Sequence, residues 1–396
     1  MIEAPDAARS RWLVLAVFVV SSSINYLDRL TLTTLKTVIG EEFHLSNHDY
    51  GWIIAAFSVT YAASAPLAGL LVDRIGLNRT ISLSVAVWSA AGIATGFTHG
   101  LAGLMGCRAV LGFAESAGIP SVGKAIHQYL RPADHALGQA VSQAALSVGM
   151  IIAPLLATWI TLRSGWRMAF VATGLLGLVW IPVWNAVART ATQGTAPKDP
   201  AIGLEILRDH RLWTFAGANA IGMLGYSLWT QWTTPYLVEA RHLTLRQQAW
   251  LAWIPPLFGA LGGLAGGWLS RRLIARGVAP IAARFRGCLT AAVVSLATVA
   301  IPAAPTAGWA CAGISLSIAA VAAFSVNMYT LPLDAFGTAR AGFGISMLVT
   351  SYGLVQIFWP ALGTVIDHQG YTPIIRLVAF TPLMACGILW ATRSVR

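Results

Sequence analysis

The chain has 396 residues, of which 56% are apolar and only 10% charged, and its mean hydropathy is +0.67. A soluble domain carries about a quarter charged residues, so composition excludes one and points to a protein built into a membrane. The net charge of +11 raises nucleic acid as a partner; the placement of the charges removes it below.

Twelve apolar stretches of roughly 20 residues follow one another near 12–34, 50–71, 80–98, 101–122, 137–159, 167–187, 212–237, 248–269, 284–302, 307–331, 341–363 and 373–392. Each is long enough to cross the hydrocarbon core as a helix. The runs are continuous rather than alternating, which favours helices over barrel strands. Before the first span, Arg9 and Arg11 resemble the start of a signal peptide. The apolar run after them is too long and contains Asp28 and Arg29, so it reads as a retained span. With the N-terminus placed inside, 18 of the 26 Lys and Arg fall on the cytoplasmic side, 6 outside, and Arg29 and Arg108 within spans. That bias is the positive-inside pattern, so the basic charge reports topology and anionic lipid headgroups rather than nucleic acid. Cys107, Cys288, Cys311 and Cys386 all fall in spans without a CxxC pair, and no metal site or cofactor is indicated.

The longest polar interruption, near 189–210, divides the spans six and six. The expected organisation is a six-helix bundle over 1–188, a cytoplasmic linker over 189–210 and a second bundle over 211–396. An internal repeat supports the division: "GLLVDRIGLNR" (69–79) follows the second span and "GGWLSRRLIAR" (266–276) the eighth, at an offset of 197 residues. Two such halves place a substrate near the midplane. In the second copy Ser270 stands where the first has Asp73, so that copy reads as degraded.

Gly69, Asp73, Arg74, Gly76 and Arg79 resemble the signature loop of the major facilitator superfamily (MFS). Within it, "NYLDR" in the first span and "CRAVLGFAESAGIP" in the fourth are similar to the anion:cation symporter family of hexuronate, sugar-acid and other organic-anion transporters. Tyr61, "GMIIAP" (149–154), "GWRMAF" (165–170) and "PLDAF" (332–336) are also in register. The resemblance implies an all-α integral membrane protein of twelve transmembrane helices, two six-helix bundles related by a pseudo-two-fold. It also implies a cytoplasmic gate at Gly69, Asp73, Arg74 and Arg79. Three positions depart from the family: Leu35-Lys36 where Ala-Pro is common, putting a cation at the outer mouth; Ala65 where glutamine is frequent; and Asp134-His135 where Glu-Arg is usual.

Charges inside the membrane are the most informative residues. Only Asp28 and Glu115 among the 15 acids lie well within a span, and no histidine does, so carboxylates are the available proton carriers. Arg108 and Glu115, seven residues apart, share a helix face at a spacing of about 10 Å. Asp28 and Arg29, as neighbours, point about 100° apart. The expectation is that Asp28 pairs with Arg108 while Arg29 projects toward an anion, the four charges summing to zero. Asp28 and Glu115 are then the proton-coupling residues, and Arg29 and Arg108 hold substrate, Arg29 as a bidentate clamp on a carboxylate. The competing reading is a salt-bridge cluster that only holds two helices together. Tyr61, Gln143, Tyr226, Trp229, Ser351 and Gln356 are further candidates for the substrate site, each with packing or interhelical bonding as the alternative.

The expected function is proton-coupled import of a small organic anion, a hexuronate, aldonate or similar monocarboxylate, by a monomer in a bacterial inner membrane with both termini cytoplasmic. An anion exchanger is the related alternative. The seventh span, "NAIGMLGYSLWTQW", has no arginine, which weighs against the organophosphate exchangers. A non-transporting metabolite sensor and an integral-membrane enzyme are the readings from other classes. The chain shows no signalling domain, metal-ligand cluster or activated nucleophile to support either.

Overall fold

The computed structural model describes residues 5–131, 134–190 and 204–392. Among the described residues there are sixteen α-helices and no strand. The first seven are α1 (Pro5–Phe43), α2 (Asn47–Ile75), α3 (Leu77–Thr95), α4 (Leu101–Glu115), α5 (Gly118–Tyr129), α6 (His135–Ser164) and α7 (Trp166–Thr190). The remaining nine are α8 (His210–Gly222), α9 (Leu224–Glu239), α10 (Leu245–Ala252), α11 (Ile254–Ala275), α12 (Pro280–Ser295), α13 (Ala307–Phe336), α14 (Thr338–Val355), α15 (Trp359–Gln369) and α16 (Thr372–Ala391). All twelve expected spans are helical. Eight are long and apolar enough to cross a membrane by length and composition alone.

Four spans are two helices end to end: α4/α5, α8/α9, α10/α11 and α14/α15. Proline explains three of these breaks. Pro120, Pro255 and Pro360 each lie in the first turn of the second piece, where a missing N–H costs nothing but cannot continue the preceding ladder. The expected continuous fourth span is thereby corrected: α4 ends at Glu115 and α5 restarts at Gly118. The Ser116 hydroxyl in the break donates to the Phe113 carbonyl at 2.7 Å.

The chain divides into two units, Met1–Leu45 with Trp52–Lys198, and Ser46–Gly51 with Asp199–Arg396. Of the expected linker, residues 191–203 lie outside the described residues, and Leu204–Arg208 form a 3₁₀ turn. The first unit's core centres on Trp184 of α7, which stacks on Trp180 and meets Phe18 and Tyr129 edge-on. The Trp180 indole donates to the Val17 carbonyl at 2.7 Å, tying α7 to α1. At the other end of α1, Glu42 accepts from the Trp166 indole at 2.5 Å and pairs with Arg167 at 2.7 Å. The α1 helix is therefore fastened to α7 at both ends, with the ionisable residues between. The second unit's core gathers Phe215, Met223, Phe324, Met328, Leu331, Leu348 and Leu389.

Candidate functional site

The first unit holds four ionisable side chains in one place because α1 and α4 each expose two to the interior. Asp28, Arg108 and Glu115 are buried, at 3%, 6% and 1% exposure, and the Arg29 side chain is 24% exposed. Close approach is built into the backbone: a Cβ at Gly112 of α4 would overlap the Phe57 carbonyl oxygen of α2. Glycine at 112 lets α2 lie near enough for its aromatics to reach the site.

The ion pair that forms is Arg29 with Glu115: Nε donates to Oε2 at 2.6 Å. The expected Asp28–Arg108 hydrogen bond is not made. Among the described residues neither Asp28 carboxylate oxygen has a hydrogen-bond partner, nor has Glu115 Oε1. Thr173 of α7, Glu115 and Arg108 are the polar groups around Asp28. Neighbouring residues on a helix diverge by about 100°, so the expected separation of Asp28 from Arg29 holds. What changes is the partner of Arg29: expected to project toward an anion, it meets Glu115 of α4.

Aromatic faces complete the surroundings of Arg29. Its guanidinium carbon lies 4.6 Å from the Phe57 ring centroid and 5.1 Å from those of Tyr26 and Tyr61. A guanidinium between π faces is stabilised without losing its outward donors, so the remaining N–H groups stay directed by the cage. Tyr61 thus takes its place as a wall of the cation's cage. Phe57, one turn earlier on α2, stacks on it at 5.8 Å.

Several site residues escaped the sequence reading. Tyr26 stands in the "NYLDR" motif itself, and Phe57 is at helical spacing from Tyr61, so both carried a signal. Thr173 did not: a mid-span threonine is ordinary, and only the packing of α7 on α1 brings it to Asp28. Lys36, expected at an outer mouth, is buried at 7% exposure.

The other candidates are placed as follows. Gln143 on α6 is exposed, its carbonyl accepting from Ser147. In the second unit, Tyr226 packs against the hydrophobic core. Trp229 is 2% exposed, and its indole donates to the Ser317 hydroxyl at 2.8 Å. The Ser351 hydroxyl donates to the Leu348 carbonyl, and Gln356 is buried in the turn between α14 and α15.

At the signature loop, Gly76 adopts φ +86°, a conformation that favours glycine, and its carbonyl accepts from Thr80 Oγ1 at 2.8 Å. Lys124 of α5 donates to the Val72 carbonyl at 2.7 Å, closing the end of α2. Gly69 is half-buried, and Arg74 and Arg79 are exposed. The Asp73 side chain lies outside what is described. The copy of this loop is not the bare remnant expected from Ser270. That hydroxyl is buried and accepts from Arg284 Nη1 at 2.8 Å, while Arg284 Nε pairs with Asp334 at 3.1 Å.

Repeated six-helix units, signature loop and buried charges together define a multi-pass membrane transporter rather than an enzyme. The Major Facilitator Superfamily profile matches residues 18–392, and the chain belongs to that superfamily. It is similar to the hexuronate transporter of Escherichia coli (strain K12), 25% identical over 408 residues, 96% of this chain and 93% of that one. The probable sulfoacetate transporter SauU of Cupriavidus necator is 27% identical over 387 residues, 91% of this chain and 89% of that one. Among solved structures, the bacterial homologue of the human lysosomal transporter Spinster, inward-facing and occupied, superposes with TM-score 0.76 and 18% identity, covering 100% of this chain and 98% of that one.

Proposed function

We propose that this chain is a proton-coupled symporter of a small organic anion, with a sugar acid such as a hexuronate or aldonate as the substrate class. Membership in the superfamily and the relatives' sugar-acid and organic-acid cargo support the class. The observation that carries the mechanism is the Arg29–Glu115 pair beside the buried, unbonded carboxylate of Asp28. A guanidinium offers five donors, and Glu115 takes only the one at Nε in this structure. An incoming carboxylate is bound by the terminal N–H groups of Arg29 and competes with Glu115 for the cation.

Charge balance then links anion to proton. The four buried charges sum to zero, and an added carboxylate leaves an excess negative charge in a low-dielectric site. A proton on Glu115 or Asp28 removes that excess. Release of the anion returns Arg29 to Glu115 and expels the proton. Arg108 steadies the acids, Tyr61 holds the guanidinium's plane, and the loop of Gly69, Asp73, Arg74 and Arg79 serves as the cytoplasmic gate. The protein works as a monomer in the bacterial inner membrane with both termini inside, the orientation that its basic loops favour.

Uptake into proteoliposomes tests the reading. Wild type accumulates a hexuronate or aldonate only with a proton gradient, and Glu115→Gln and Asp28→Asn each abolish accumulation while still binding substrate. Accumulation by both variants under the gradient removes the proton role. Flux that needs internal anion but no gradient makes the protein an exchanger, and binding without flux makes it a sensor.

A further inference from the structure

Lys36 is a buried cation that the transport mechanism above leaves unused. It stands on α1 just past the expected end of the first span, at a position where the family commonly has proline, and it is 7% exposed. A lysine that only marked the outer mouth would snorkel, with its stem on apolar surface and its ammonium in water. This one is withdrawn instead. Among the described residues the buried carboxylates are Asp28 and Glu115, and the buried cations are Arg108 and Lys36. With the half-buried Arg29, two acids stand against three cations in the first unit.

Helix phase places Lys36 with Arg29. The α1 helix runs unbroken from Pro5 to Phe43. Seven residues turn through about 700°, so the two side chains share one face within about 20° and lie about 10 Å apart along the axis. Thr33, one turn from each, is also buried and puts a hydroxyl between the two cations. Side chains on a helix lean toward its N-terminus, which inclines Lys36 from its root toward Arg29 rather than toward the mouth. An ammonium has three donors, enough to take a carboxylate beside a bond made within the chain. The spacing suits a short diacid. The end carbons of a six-carbon chain lie about 6 Å apart, and a contact of about 3 Å at each end extends that to a length two long, flexible side chains can bracket.

We propose that Lys36 is a specificity-determining residue that takes a second carboxylate, so that the preferred substrate is a linear dianion, an aldarate, rather than a monocarboxylate. One carboxylate competes with Glu115 for Arg29, as in the transport reading on which this inference rests. The other meets Lys36, two turns further along α1. Charge balance agrees with this division. Asp28, Arg29, Arg108 and Glu115 sum to zero, so a proton accompanies the first carboxylate, and Lys36 offsets the second without calling for another proton. A monocarboxylate gains only the Arg29 contact.

Galactarate and galactonate separate the two cases, since both are linear and differ only in whether the far end is a carboxylate or an alcohol. In the full-length protein in detergent, isothermal titration should show galactarate binding about tenfold tighter than galactonate. Lys36→Met keeps an unbranched stem and removes the charge, and it should bring galactarate to within about twofold of galactonate. Lys36→Arg should retain most of the preference, which a general loss of packing would not permit. Should Lys36→Met fail to fold, acylation of wild-type amines read by mass spectrometry takes its place. Galactarate then protects Lys36 and galactonate does not, with Lys124 as the internal control. Equal binding of the two anions by wild type, a preference that survives Lys36→Met, or equal protection by both overturns the proposal and leaves the sugar-acid reading standing. Binding of neither anion overturns that reading and this proposal together.

Discussion

The two units answer the problem of polarity inside a membrane in different ways. The first buries Asp28, Arg108 and Glu115 together with the half-buried Arg29, and leaves both Asp28 oxygens without a hydrogen bond. In the middle of the second, the described buried polar groups are neutral and several are hydrogen-bonded to neighbours, while Asn219 Oδ1 is buried without a hydrogen-bond partner. The Trp229 indole and Thr298 both donate to the Ser317 hydroxyl, the Trp359 indole donates to Ser227, and Asn219 donates to the Leu348 carbonyl. Its charges, such as Arg284 and Asp334, stand at helix ends. Among the described residues, the buried ionisable side chains are concentrated in the first unit, and the second carries a network of neutral hydrogen bonds.

The largest effect expected from breaking this contrast comes from the charged unit. Arg29→Ala leaves Glu115 buried without its ion-pair partner, and removing one member of a buried pair costs ~3–5 kcal/mol. Unfolding of the purified protein in detergent should register that loss, and binding of a sugar acid should disappear. Arg29→Ala with Glu115→Ala should recover a large part of the stability but none of the binding. If the double variant is no more stable than Arg29→Ala, the 2.6 Å contact is not an energetic pair.

How much of this was legible depended on the kind of information required. The spans and the division of the repeat follow from hydropathy and polar interruption, and the four charges stand out because ionisable residues are rare at that depth. Their pairing was less accessible. Helix phase separates Asp28 from Arg29, yet which of them meets Glu115 depends on how α1 is rotated, and that is set by the helices packed on it, as where Gly149 of α6 lies against the Ser23 carbonyl. Pro120 announced the break after Glu115, but its weight against a long apolar run is decided by packing. Thr173 was invisible because its role arises from the pairing of α1 with α7. Ser270 misled for a related reason: the acid that serves its arginine comes from another helix, 64 positions further along the chain.

The framework unit should respond to perturbation in the opposite way. Trp229→Phe removes the indole N–H from Ser317 and shrinks a fully packed side chain, costing about 1–2 kcal/mol of stability. Because the Ser317 hydroxyl keeps its bond from Thr298 at 2.7 Å, the network survives in part. Substrate affinity and proton dependence should remain within about twofold of wild type, a change of ~0.4 kcal/mol. A selective loss of affinity, with little change in thermal stability, would move Trp229 from framework to binding surface and weaken the division between the units.

The smallest effect belongs to the entrance of the second unit, outside the membrane spans. Asp209 caps α8 by accepting from the Arg211 amide at 2.9 Å, and its carboxylate pairs with the Arg211 guanidinium at 2.8 Å. Those bonds hold the Asp209 carboxyl below the usual carboxylate range, the side-chain bond from Arg211 being the main cause. A carboxyl whose folded value is depressed contributes stability that is full above its unfolded value, near 3.9, and is lost as pH falls through the folded value. Asp209→Asn keeps an oxygen that can cap the helix but loses the charge, so at neutral pH it should cost no more than about 1 kcal/mol. The difference between the two proteins should shrink as the pH is taken below 4, since protonation gives wild type the same neutral cap. Melting curves at pH 7 and pH 3 would show it, and a gap that widens with acid would mean that Asp209 is not held by Arg211. Transport at neutral pH should be unchanged, because this charge sits at a helix end where it organises the framework and takes no part in the exchange between Arg29 and Glu115.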